Sequence, residues 1–580
     1  MSEEEGERVG ETTEGLQVEL FHPETDRSPG DTNIQKFGFD VHPQVFPISA
    51  VVITAFVLVT ILLGDQASAA YTAVFDFVNA NFGWFYILVV NIFIVALVYF
   101  GLSKFGKIRL GGVEAEEEFS KLSWMAMLFS AGMGIGLMFY SVAEPMWHYG
   151  DGTNIFPMVT PNTAEAASAA TTVTFYHWGL HPWAVYGIVA LGLGFFSFNR
   201  GLPLTFRSVF FPLLGERIYG WWGHVIDVIT VFATLFGLGT SLGLGASQIN
   251  AGLNVVAGVP QGVASQVGII AVITAIATIS VAMGLDRGVK RLSQINVWLM
   301  FIFLAFILVV GPTLYILNHT VASLGTYLMN LPEMAFFTGA NLPAEQAGGY
   351  AGWAQLWTVF YWGWWIAWSP FVGLFIARIS KGKTIREVVV GVLMIPTAFS
   401  FLWLAAFGGA GIFAQRNLGA TIYETIYDQG YSFAMFEMLE SFPLTTVTQL
   451  LAVLLVTTFF VTSSDSGSLV VDHLTSGGKH DVPRTQRIFW AITEGVVAAV
   501  LLIGGGLTAL QTASVTTGLP FAVILLVMVY SIYKGLSEEY EILQSQEFQE
   551  RVGEIAEGEK EVDTTGGDVV TGIHDSESDD

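Results

Sequence analysis

The sequence predicts an all-α polytopic membrane protein with twelve transmembrane helices, and three observations carry that prediction. The 580 residues are 53% hydrophobic and only 13% charged, a balance outside the range of soluble globular chains. Uncharged runs long enough to cross about 30 Å of hydrocarbon, which takes around 20 helical residues, recur through the whole middle of the chain. Lysine and arginine crowd into alternate connections between those runs, as the preference of cytoplasmic loops for basic residues requires.

In order, the spans lie near 46–64, 83–103, 122–143, 172–197, 228–257, 265–284, 293–316, 353–377, 388–410, 444–464, 488–507 and 516–533. The run 228–285 holds two of them, divided at Gly258-Val-Pro-Gln-Gly262, where glycine and proline favour a turn. The connections after spans two, four, six, eight and ten hold 17 of the 24 bases, and Lys534 with the two tails holds six more. The opposite connections hold one, Arg416. An even number of spans with both termini cytoplasmic follows. The connection 317–352 is then external, and its apolar Met334-Ala-Phe-Phe337 points to a surface helix.

The net charge of −25 is concentrated at the ends: residues 1–44 carry 11 acids and 3 bases, and residues 535–580 carry 15 acids and 2 bases. Both tails read as disordered and solvating. Such acidity repels nucleic acid, so no nucleic-acid partner is expected. The first apolar run is too long for a signal-peptide core, so no signal peptide is expected either. Without cysteine there is neither a disulfide nor a thiolate metal site.

Span eight contains Tyr361-Trp-Gly-Trp-Trp-Ile-Ala-Trp-Ser-Pro-Phe371. Trp364 and Trp365 each lie one helical turn from Trp368, so one face presents stacked indoles. Such a wall attracts a quaternary ammonium, which can donate no hydrogen bond, while Trp362 and Trp364 read as packing. Span four adds a second wall from Trp178, Trp183 and Tyr186, beside Pro182, which loosens the helix locally. Span three carries Gly132, Gly134 and Gly136; these serve either unwinding, which would expose carbonyls to a cation, or close helix packing. Span ten ends in Phe459-Phe-Val-Thr-Ser-Ser-Asp-Ser466, whose hydroxyls suit sodium or bond back to helix carbonyls.

His177 and His181 have the spacing of a metal pair, but no third ligand is visible and they read as capping or packing. Asp465 reads as a cap at the cytoplasmic end of span ten or a partner for a loop base, and Glu144 and Glu494 as structural or gating residues. No acid or base falls near the middle of spans three, four, eight or ten. A substrate held there should be zwitterionic or travel with an ion. No nucleophile and base pair occurs in any span, so the chain is not expected to be an enzyme or to carry a cofactor.

The AGMGIG stretch at 131–136, the Trp178, Trp183 and Tyr186 spacing and the tryptophan-rich YWGWWIAWSPFVG at 361–373 together resemble the betaine/choline/carnitine transporter family. The resemblance covers nearly all the chain except its tails. It implies two inverted five-helix repeats of the leucine-transporter type, preceded by two extra helices and often assembled as a homotrimer. The chain then divides into a cytoplasmic tail (1–44), two peripheral helices (45–116), a first repeat (117–317), an external loop (318–350), a second repeat (351–534) and a second cytoplasmic tail (535–580). Each repeat would open on a loosened helix, at Gly132 to Gly136 and at Pro370.

The resemblance also implies an aromatic box of Trp178, Trp183, Tyr186 and Trp365, with Trp368 as the deeper cage residue and the glycines beside them. A sodium site would use carbonyls of Ser130, Met133 and Phe459 and the hydroxyls of Thr462 and Ser463. A second would use Thr234 and Phe371, but a leucine, Leu238, stands where its other hydroxyl belongs. Choline carriers of the family resemble this motif with an aspartate at the position of Gly136, so glycine betaine is favoured. Osmotically regulated members carry a basic C-terminal helix, which the acidic 535–580 does not match. The expected protein is a cell-membrane symporter of glycine betaine and sodium serving osmoprotection. A sodium-independent exchanger of carnitine-like or choline-like substrates and a non-transporting sensor are the competing readings.

Overall fold

The computed structural model describes Arg27 and residues 29–545 other than 114, 133, 154, 157, 284–285, 341–351 and 480. Hydrocarbon offers the backbone no hydrogen-bond partner, so uncharged runs satisfy themselves as helices. In chain order these are α1 (Val45–Leu63), α2 (Asp65–Leu102), α3 (Lys121–Ala131), α4 (Ile135–Asp151), α5 (Ala164–Trp178), α6 (Leu180–Phe198), α7 (Trp221–Ala257) and α8 (Val263–Met283). There follow α9 (Asp286–Val310), α10 (Thr313–Ala335), α11 (Phe360–Ile379), α12 (Ile385–Asn417), α13 (Ile422–Gln429), α14 (Ala434–Glu440), α15 (Thr445–Thr475) and α16 (Arg484–Leu543). Among the described residues ten helices are long and apolar enough to cross a membrane, or eleven if the bent pair α3 and α4 is one span. The expected twelve is therefore not reached by that count.

Each break has a chemical cause. Between α3 and α4 the axis turns by 61° at the glycine-rich stretch, where helix costs most. Between α5 and α6 the helix breaks at Gly179. Pro182 supplies no N–H to the Trp178 carbonyl four residues earlier and its ring crowds that oxygen. The 60-residue α16 is interrupted by non-helical backbone at Gly505 and Gly506, the latter at φ 59°, a conformation glycine adopts readily. Pro370 behaves differently. α11 continues through it, because the Ser369 hydroxyl donates to the Ile366 carbonyl that proline leaves without a donor (2.8 Å). The symmetric loosening expected at Pro370 is therefore absent from this helix.

Other boundaries also differ from the sequence reading. Span two begins much earlier, at Asp65, and span seven stops at Val310, before Gly311-Pro312. α15 runs on to Thr475, which puts the hydroxyl cluster and Asp465 inside the helix rather than at its end. The last part of the N-terminal tail is not solvating coil: Ile34–Lys36 (β1) and Phe39–Val41 (β2) form an antiparallel hairpin. It docks on the α15–α16 connection, where the His42 N–H donates to the Thr475 carbonyl (2.9 Å), Asn33 to the Ser476 carbonyl (3.0 Å) and Lys479 to Asp40 (2.5 Å). The second tail likewise starts as helix, and Glu539 is fully buried against Arg200 and Asn199. Residues 1–26 and 546–580 lie outside the described part.

Three ion pairs anchor the base-rich connections: Arg200 with Glu539 of α16, Arg207 with Asp227 of α7, and Lys383 with Glu117 of the connection before α3. Losing one partner of a buried pair costs about 3–5 kcal/mol, because the other charge is stranded. His42 closes the N-terminal clasp. Its Nδ1 accepts the Val45 N–H at the start of α1 (3.3 Å), and the Arg207 guanidinium lies 3.4 Å from Nε2. Burial first, then Arg207 and His224, push its pKa from 6.5 down to about 3. A histidine neutral when docked and protonated when free stabilises docking above its free pKa, and that stability falls as pH drops below 6.5. Hydrogen exchange of residues 29–44, corrected for intrinsic rates, should therefore quicken between about pH 7.5 and about pH 5.5. His42→Gln should weaken that dependence, the neighbouring His224 accounting for what remains, and an unchanged pH response in the variant would contradict the assignment.

Candidate functional site

The break between α3 and α4, the break between α5 and α6, and the indole face of α11 converge on one cavity. Its walls include Gly132, Gly134, Gly136, Trp178, Trp183, Tyr186, Trp365 and Trp368. The two aromatic walls read from the sequence thus meet across one space. Trp178 and Trp365 are 4.8 Å apart at 72°, and Trp183 and Tyr186 are 5.3 Å apart at 79°. These edge-to-face arrangements suit aromatic quadrupoles and leave ring faces available. Trp365 is anchored by its indole N–H, which donates to the His177 carbonyl beside the Gly179 break (3.0 Å).

The glycines are fitted to the tryptophans. A Cβ on Gly136 would lie 2.6 Å from the Trp364 ring and 3.1 Å from Trp178, and one on Gly132 would lie 2.9 Å from Trp183. At Gly134 the nearest atom would be Trp368 at 3.7 Å, an ordinary contact. Trp364 was read as packing, but it lines the cavity, stacks on Trp365 at 4.7 Å and 14°, and donates to Ser241 (3.3 Å). Ser241, Ser400 and Pro182 also reach the cavity. Only the glycine opposite Trp364, on another helix, distinguishes it from a packing residue, and one-dimensional spacing does not reveal that pairing. Trp362 does pack, stacked on His181 at 5.5 Å.

Two polar atoms in the cavity wall, Tyr186 Oη and Trp368 Nε1, are buried without a hydrogen-bond partner among the described residues. Buried donors are satisfied in most proteins, so they are available to a ligand.

A second cavity is lined by Ser130, Phe459, Thr462, Ser463 and Phe371, and by Ser293 and Asn296 of α9. Trp368 and Ser463 belong to both walls. The structure thus gathers Ser130, Phe459, Thr462 and Ser463, whereas Met133 lies outside the described residues. The Thr462 hydroxyl donates back to the Thr458 and Phe459 carbonyls (3.0 and 3.2 Å), leaving oxygen lone pairs for a hard cation. Thr234 is not placed with this set. Its hydroxyl donates to the Thr230 carbonyl (2.8 Å), and Leu238 is buried against Gly467.

The acids are where sequence reasoning fell short. Glu144 is fully buried beside the cage and accepts the Trp178 indole N–H (2.8 Å). Its neighbour His177 lies 2.6 Å away and, with His148, completes a three-residue cluster, whereas His181 faces Asn91 (3.3 Å). The i, i+4 histidine spacing does not mark this cluster, since the other two members, Glu144 and His148, come from another helix. Asp465, read as a cap, is buried inside α15, and Glu494 is buried inside α16.

The model of the betaine/carnitine/choline family of transporters matches residues 44–541. A glycine betaine/proline/choline transporter of Vibrio parahaemolyticus is 45% identical over 533 residues, covering 89% of this chain and 94% of that protein. Glycine betaine transporter 1 of the same organism is 46% identical over 528 residues, covering 89% and 97%. A glycine betaine transporter of Acinetobacter baylyi is 43% identical over 497 residues, covering 86% and 74%.

The glycine geometry separates two variants that look alike in sequence. Gly136→Ala forces a carbon into the Trp364 and Trp178 rings and should destabilise the protein by about 1–3 kcal/mol. Gly134→Ala should stay within about 0.5 kcal/mol of wild type. Thermal unfolding in detergent, followed by tryptophan emission, measures both; equal effects would contradict the packing described.

Proposed function

This chain belongs to the betaine/carnitine/choline family of transporters, and from that premise we propose that it takes up glycine betaine or a related quaternary-ammonium compatible solute together with sodium. It is a transporter and not an enzyme. The observation that carries the substrate is the pairing of indole faces with two unpartnered donors. A trimethylammonium group is attracted to the faces of Trp178, Trp183, Trp365 and Trp368. The carboxylate of the same zwitterion can accept from Tyr186 Oη–H and Trp368 Nε1–H. The names of the three relatives described above each include glycine betaine and point the same way.

Sodium coupling rests on the oxygen set of Ser130, Phe459, Thr462 and Ser463, whose chemistry fits a small hard cation. Ser463 lies in the walls of both cavities, so an ion there would stand next to the substrate. A second sodium at Thr234 and Phe371 has less support, since Thr234 bonds back to its own helix.

Alternating access is supported by Trp368, which lines both the cage and the second cavity. That cavity extends to Ser293 and Asn296, just beyond the bases Lys290 and Arg291, on the side assigned to the cytoplasm. The site would then be released inward. Counting α3 with α4 as one span and dividing α16 at Gly505 and Gly506 restores twelve spans and two cytoplasmic termini in the cell membrane. Assembly as a homotrimer and a role in osmoprotection belong to the same reading.

Purified protein in liposomes should accumulate labelled glycine betaine only with an inward sodium gradient; equal uptake without sodium would remove the coupling. Trp368→Ala should abolish uptake while inserting normally, and a near-normal rate would remove the cage assignment.

A further inference from the structure

Glu144 is ringed by groups from three helices and from the segment before α11. Its Oε2 accepts from Trp178 Nε1 (2.8 Å) and from the Tyr361 hydroxyl (2.5 Å). Its Oε1 lies 2.6 Å from His177 Nδ1 and 3.7 Å from His148 Nε2. The Trp353 indole N–H donates to His148 Nδ1 (3.4 Å), and the Thr358 hydroxyl lies 3.0 Å from His177 Nε2. All three members of the Glu144, His148 and His177 cluster are fully buried.

A carboxylate and two imidazoles with ligand atoms within 4.8 Å of one another form the donor set of a metal site. Their hydrogen bonds argue otherwise. An acceptor role for His148 Nδ1 puts the ring proton on Nε2, the nitrogen that faces the carboxylate. A metal would need that lone pair free. Oε2 is already occupied by two donors. The cluster is a nest of donors around an anion.

We propose that Glu144 is a specificity-determining counter-charge for the bound ammonium, acting through the Trp178 indole. The inference rests on the reading of the cavity as a quaternary-ammonium cage. Trp178 connects the two: its Nε1 is held by the carboxylate, and the far edge of its ring, Cη2, faces Gly136 in the cavity wall. Donation of the N–H to an anion moves electron density into the ring, making its face more attractive to a cation. The negative charge itself adds a Coulomb attraction that burial leaves weakly screened. The same bond fixes the ring orientation, since Trp178 cannot turn without losing it. Glu144 touches no substrate, so it is a positioning residue that also selects for positive charge.

The test compares two ligands of one shape. Glycine betaine and tert-butylacetate differ only in a nitrogen cation replaced by neutral carbon, and both keep the carboxylate. Affinities of the purified full-length protein for each give a charge-selectivity ratio. Glu144→Gln should lower that ratio about tenfold while changing tert-butylacetate binding little. Glu144→Asp, which keeps the charge, should retain most of it. Equal losses for both ligands, or an unchanged ratio in Glu144→Gln, would overturn the proposal, as would stoichiometric zinc retained by the wild type through dialysis. If Glu144→Gln does not fold, Trp178→Phe decides: it keeps a ring, lacks the N–H and should lower the ratio, and a full wild-type ratio would overturn the proposal. A wild type that does not prefer betaine over tert-butylacetate would instead refute the cage reading, so the two failures are distinct.

Discussion

The constraint on which the rest depends is that a helix in hydrocarbon cannot break for free. Each interruption leaves backbone groups that lipid cannot satisfy, so breaks survive only where they face a cavity or packed protein. The interruption at Gly132 to Gly134 and the one at Gly179 lie against the same space. The second is covered as well as exposed. Trp365 takes the nearby His177 carbonyl, and Phe401 lies within 2.9 Å of where a Gly179 side chain would begin. Where no cavity function calls for a break, as at Pro370, Ser369 repairs the ladder instead.

Close helix approach holds the rings in place. At Gly237 of α7 an added Cβ would meet the Ala367 carbonyl carbon at 2.9 Å, so α7 and α11 touch backbone to backbone beside Trp368. Small residues allow such contacts where lipid gives no hydrophobic drive to association. Indoles on both sides of the cavity are consequently backed by helices that cannot draw apart without losing tight packing. The buried Arg207–Asp227 and Arg200–Glu539 pairs restrain the ends nearer the basic connections.

Much of this was legible in sequence because hydrocarbon imposes a simple code. Uncharged length announced the helices, and the density of tryptophan announced an aromatic-walled cavity. The family resemblance assigned Trp178, Trp183, Tyr186, Trp365 and Trp368 to one site, and they do line one cavity. Three kinds of information were not legible. Pairings between distant helices, such as Gly136 with Trp364 and Glu144 with Trp178, leave no periodic trace. Side-chain repair of a proline gap, as by Ser369, hides a break that composition suggests. Charge pattern alone described the acidic N-terminal tail as solvated, yet Asn33 and Asp40 find specific partners on a distant loop.

The glycines opposite the tryptophans carry a consequence for how such a cavity can change over descent. Its volume is defined by atoms that are missing at positions 132 and 136 as much as by rings that are present. A larger residue at 136 requires the rings at 364 and 178 to shift or shrink with it. A change of side chain on one helix is therefore felt in the packing of two others, and the shape of this wall is set jointly by residues far apart in sequence.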